Sequence, residues 1–159
     1  MLRLCKLLHV LGWVLFLGSI LTFILISIHT QGGPLGGLVL GRRLISSGTD
    51  LLTLPGLWMI TVTGLWMSIQ RSGPGQSFVQ IKLVLAAATI INAHSVVRPA
   101  ARSAMDLAAR SRTQCQLLPA YRSAYVRESI AGSLNVAFTL AAAAVGVWKP
   151  RGKAKLGEA

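Results

Sequence analysis

The run from Leu7 to His29, "LLHVLGWVLFLGSILTFILISIH", constrains this chain more than any other feature. In a hydrocarbon layer every backbone N–H and C=O needs a partner within the protein, and a helix supplies all of them. At 1.5 Å per residue a run of this length crosses a core of about 30 Å. Three further runs qualify: Leu51 to Gln70, Val79 to Arg98, and Ser133 to Trp148 extended back through Ile130. The fold class read from them is all-α: a polytopic membrane protein built as a four-transmembrane-helix up-down bundle with short interfacial helices. The spans fall at about 7–29, 51–70, 79–98 and 130–148, within a single domain over 1–150, and 151–159 reads as a basic disordered tail. The first run is too long for a signal-peptide core and lacks a small-x-small cleavage site after it, so it reads as retained.

Composition bears on the choice of partner. The chain is 53% hydrophobic and only 13% charged, with 16 Lys and Arg against 4 Asp and Glu. The basic residues lie between and beside the apolar runs, which suits anionic lipid headgroups. No basic helix or aromatic-studded basic groove offers a nucleic-acid surface. Cys5 and Cys115 form no C-x-x-C pair and suggest neither a disulfide framework nor a thiolate metal site.

The connections are of several kinds. "QGGPLGG" breaks the chain after the first run, and Leu38, Leu40, Leu44 and Ile45 read as one side of a short interfacial helix with Arg42 and Arg43 towards headgroups. Thr49 or Asp50 is expected to cap the second span. "RSGPGQS" is a tight turn. In the long basic connection, "AARSAMDLAARSR" has helical spacing with an Arg102–Asp106 pair, and reads as a helix that continues the third span or lies on the surface until Pro119 ends it. Within the second span, Gly56, Ile60, Thr63, Met67 and Gln70 form a stripe expected to face the bundle.

Depth then sorts the polar groups. With both spans running the same way, His9 and His94 are expected to differ in depth by roughly 20 Å, too far to share one metal or haem iron. One layer, on the N-terminal side, holds His9, Lys82, Met67 and Gln70. His9 and Met67 carry the side chains of mixed His/Met haem ligation, and Lys82 suits a propionate. The alternative is that Lys82 snorkels to headgroups and His9 bonds a backbone carbonyl. The opposite layer holds His29, Asp50, Asn92 and His94, with Arg127 and Glu128 nearby. His29 and His94 are expected within roughly 6–10 Å in depth, so a copper or haem site is one reading there. The other is that His29 sits at the water boundary while Asn92 and His94 bond neighbouring helices.

Other chemistry lacks a pattern. There is no G-x-S-x-G, no H-E-x-x-H and no phosphate-cradling glycine loop. The acids, Asp50, Asp106, Glu128 and Glu158, are too few for a paired-carboxylate mechanism, and none lies in mid-span.

The segments "LHVLGWVLFLG", "LTLPGLWMITVTGLW", "QIKLVLAAATI", "LPAYRSAYVRESIAG" and "GVWKP" together resemble a bacterial family of small integral membrane proteins of unknown function. The resemblance runs from about Leu8 to Pro150. That family is distantly similar to HemJ-type protoporphyrinogen oxidases and to CopD-type membrane domains. It implies the bacterial inner membrane, haem b as a cofactor and His9 and Lys82 as the matching positions. Three functional expectations follow: a haem b- or porphyrin-associated redox protein using His9, Met67 and Lys82; a non-catalytic membrane subunit or scaffold, as a homo-oligomer or with a membrane-complex partner; and copper handling through His29 and His94.

Overall fold

Two prolines and two left-handed residues mark where the helices bend and end. The computed structural model describes residues 2–72 and 76–148. Helix α1 covers Leu2–Thr30, α2 Leu35–Gly48, α3 Leu54–Ser72, α4 Ser77–Asn92, α5 Arg98–Thr113 and α6 Pro119–Trp148. π-helical turns at Thr49–Thr53 and Ala93–Val97 join α2 to α3 and α4 to α5 without a break. Each lies just ahead of a proline, Pro55 or Pro99. A helical proline lacks an N–H and crowds the carbonyl four residues back, and here those carbonyls fall inside the widened turns. The six helices therefore make four rods, each long and apolar enough to cross a membrane.

The breaks between rods have local causes. Gly32, at φ 84°, takes the left-handed conformation after α1. After α5 that position falls to Cys115, at φ 53°. Its N–H bonds to the Arg112 carbonyl and the Gln116 N–H to the Ser111 carbonyl, the paired bonds of a Schellman end. Pro119 then opens α6, where its missing N–H costs nothing.

Side-chain contacts give the register. Thr30 lies over Gly41, Phe23 over Gly48 and His9 over Gly64, so α1 runs antiparallel along the second rod. Between the second and third rods, Lys82 meets Ser68, His94 meets Trp58, and Arg98 and Arg102 meet Asp50. Asn92 meets Asn135 on α6. Neighbouring rods in sequence alternate in direction, as expected. The starts of α1 and α4 and the ends of α3 and α6 share one end of the bundle, called here the N-terminal end.

The small-residue faces are consumed inside the chain. A Cβ on Gly56 would sit 2.8 Å from the Phe16 nitrogen and 3.0 Å from the Gly12 carbonyl oxygen, both backbone atoms. Close approach of this kind is what small residues permit. Gly56→Ala is expected to lower stability by about 1–3 kcal/mol through overpacking, read as a lower thermal midpoint in detergent. Gly18→Ala, with nothing within 4 Å, is the matched control and should not fall.

Two apolar cores result. Phe16, Leu54, Leu57, Ile60 and Ala93 form one, and Leu38, Val39, Ala104, Ala108 and Tyr121 the other, nearer the far end. The outside is apolar as well. Leu7, Val14, Leu21 and Ile28, each seven residues from the next, are between 62% and 65% exposed. Such a stripe is unfavourable in water and at home in lipid.

Several expectations are corrected. The second rod begins at Leu35, the third extends to Thr113 and the fourth begins at Pro119, so no separate interfacial helix stands between the first two spans. Arg42 points inward and is buried, not turned to headgroups. Asp50 caps nothing, because the helix runs through it. Arg102 pairs with Asp50 and not with Asp106. Of the inward stripe, Gly56, Ile60 and Thr63 are buried, Met67 is half-buried and Gln70 is exposed. The expected tail at 151–159 lies outside the described residues.

Candidate functional site

His9 sits where α1 meets α3, and its hydrogen bonds identify the tautomer. Thr63 Oγ1 donates to the Met59 carbonyl, so toward His9 it can only accept. His9 Nδ1, at 3.0 Å, therefore carries the proton and donates it. An indole N–H can only donate, so Nε2 accepts from Trp13 Nε1 at 3.3 Å. In place of the expected backbone carbonyl, His9 bonds the Thr63 hydroxyl, which in turn bonds a carbonyl. Gly64 makes room for the ring, since a Cβ there would lie 2.9 Å from His9 Cε1.

Lys82 is half-buried between α3 and α6. Its Nζ is 3.3 Å from Ser68 Oγ, which itself donates to the Gly64 carbonyl and so offers the ammonium a lone pair. Gly146 leaves the space: a Cβ there would lie 2.6 Å from Lys82 Nζ.

These side chains line one cavity of about 370 Å³ at the N-terminal end. His9, Met67 and Lys82 share it, with Arg71 beside them. Leu57, Ile60, Phe78 and the alanines of α4 and α6 supply an apolar wall. Among the described residues no acid lines it. The arrangement suits an amphipathic molecule with an apolar body and an anionic group.

A haem or porphyrin can be tested against these residues. Lys82 and Arg71 suit its carboxylates as they stand. The Thr63 bond holds His9 in the tautomer that a histidine ligating through Nε2 needs. That lone pair already accepts from Trp13, so iron would be held only after the indole turns aside. Met67 lines the same cavity and brings a thioether sulfur to it.

The structure does not bring His29 and His94 together. His29 is exposed, with Nδ1 2.9 Å from the Leu25 carbonyl. His94, also exposed, accepts from Trp58 Nε1 at 3.3 Å. Thr30 lies over Gly41, and Trp58 lies about 25 Å further along the same rod. The expected closeness in depth fails because the third rod is slid about two turns towards the N-terminal end relative to an alignment of apolar runs. For the same reason His94 is only about 9 Å in depth from His9, not 20 Å, but it takes no part in the cavity. Among the described residues no three His, Cys, Asp or Glu side chains are grouped to hold a metal ion.

A second polar cluster, near the far end, went unseen in the sequence. Arg42 is 2% exposed, and its Nη1 meets Glu128 Oε2 at 2.7 Å while its Nε donates to Tyr121 Oη at 2.8 Å. Its guanidinium carbon stands 4.8 Å from the Tyr125 ring centre and 5.5 Å from that of Tyr121. Closer to mid-rod, Asp50 takes Arg98 and Arg102, each at 2.8 Å. The one available signal was scarcity: with four acids against sixteen bases, each acid among helices is a strong candidate for a structural partner.

No family model, no curated protein and no solved structure matches this chain.

Proposed function

We propose that this is a multi-pass protein of the bacterial inner membrane that binds an amphipathic anion of the haem or porphyrin class in the cavity of His9, Met67 and Lys82. The convergence of these three side chains from three rods on one largely apolar cavity carries the reading. Membrane residence is supported by four apolar rods whose outer faces are exposed leucine, valine and isoleucine. In this reading Lys82 and Arg71 would hold the carboxylates, the apolar wall would hold the ring and His9 would ligate the iron. Haem b, when bound, supplies one-electron chemistry. The scaffold alternative loses ground because Gly12 and Gly64, small residues that a scaffold could offer to a partner, pack against Ile60 and His9 of the same chain.

Titration of the detergent-purified protein with metal-free protoporphyrin and with haem tests the assignment. Both are expected to bind. His9→Ala should weaken haem alone by tenfold or more, the order of change seen when a metal site's support is removed (about 10- to 100-fold). Binding of neither compound above that of empty micelles would remove the proposal.

A further inference from the structure

A second concavity is separate from the site above and shares no lining residue with it. It is an open groove of about 700 Å³ between α6 and the third rod. Val126, Ile130 and Leu134, spaced three and four apart on one face of α6, form its floor with Val96 of the second π-helical turn. Arg122 stands at the far end of the same face and Arg127 about 8 Å further in, beside Val126, both exposed. Among the described residues neither guanidinium is in an ion pair, and no acid lines the groove.

The polarity is graded along the helix. From Arg122 to Leu134 the groove runs about 18 Å along the axis, from cations to a mainly apolar inner end where Asn92 is the one polar lining residue. The Asn92–Asn135 bond fixes the direction, with the apolar end towards the middle of the bundle and the arginines towards its far end. That is the order of parts in a lipid lying in a leaflet: charged head outward, acyl chain inward. Arginine forks pair with phosphate oxygens through two parallel N–H bonds. We infer that the juxtaposition of Arg122 and Arg127 with the Val126–Ile130–Leu134 face is a binding site for one anionic glycerophospholipid. Its phosphodiester sits between the guanidiniums and an acyl chain lies in the groove. A zwitterionic lipid brings an ammonium to the same two cations and is disfavoured. The site does not depend on the porphyrin reading.

The test uses the full chain in mild detergent. Delipidated wild-type protein is titrated with phosphatidylglycerol and with phosphatidylcholine of the same acyl chains, with native mass spectrometry as the readout. Two arginines near the headgroup should give a preference of about thirtyfold for phosphatidylglycerol. R122Q/R127Q should abolish that preference, R122K/R127K should keep most of it, and Ile130→Trp, which fills the groove, should weaken both lipids. Equal affinity of the wild type for the two lipids, or an unchanged preference in R122Q/R127Q, overturns the site. So does an oligomer that occupies this face and is not dispersed by added phosphatidylglycerol, because the groove would then belong to a second copy of the chain.

Discussion

Glu128→Ala is expected to cost about 3–5 kcal/mol, because it leaves the buried Arg42 guanidinium without its counter-charge. Tyr121 Oη and the two tyrosine rings remain, but they accept only part of a full positive charge. Thermal unfolding of the purified protein, followed by circular dichroism, would show a large drop in midpoint. The double variant Arg42→Met/Glu128→Leu should recover most of the loss, since a buried ion pair adds little beyond what well-packed apolar residues supply. A single-variant loss below about 1 kcal/mol, the range of surface pairs, would mean that water reaches this cluster.

Lys82→Glu is the second large effect, read on binding. The ammonium lies inside a largely apolar cavity, where charge acts at short range and low dielectric. Reversing its sign should weaken a dicarboxylate porphyrin by about a hundredfold. Ser68 would have to give up its bond to the Gly64 carbonyl to donate to the new carboxylate, so the thermal midpoint is read beside the titration to separate binding from folding. A titration that returns the wild-type affinity would show that the carboxylates lie elsewhere.

What the sequence could and could not reveal follows from the range of the interactions involved. The four rods were legible because hydrocarbon-length runs are a local property. Their true ends were not. "LGGLVLGRRLISSG" contains four glycines and two arginines and reads as a connection, yet α2 is helical because Leu38, Val39 and Ile45 are buried in tertiary contacts. The inward turn of Arg42 depends on Glu128, 86 residues away, and no window on the sequence joins them.

The candidate site divides in the same way. Short turns force successive rods to alternate, and that alone puts His9, Met67 and Lys82 at one end of the bundle. How far one rod slides along the next is decided by packing, such as His9 against Gly64 and Lys82 against Gly146. That sliding moved His94 away from His29 and towards the level of His9. The roles of Thr63 and Trp13 were also out of reach, because a tautomer is set by which atoms meet.

The most direct test of the central claim is the reduced-minus-oxidised absorption spectrum of protein purified from haem-replete cells, wild type beside His9→Ala. The account predicts a Soret band in the wild type that is lost in the variant. Colourless wild-type protein, or a band that His9→Ala leaves unchanged, would contradict it.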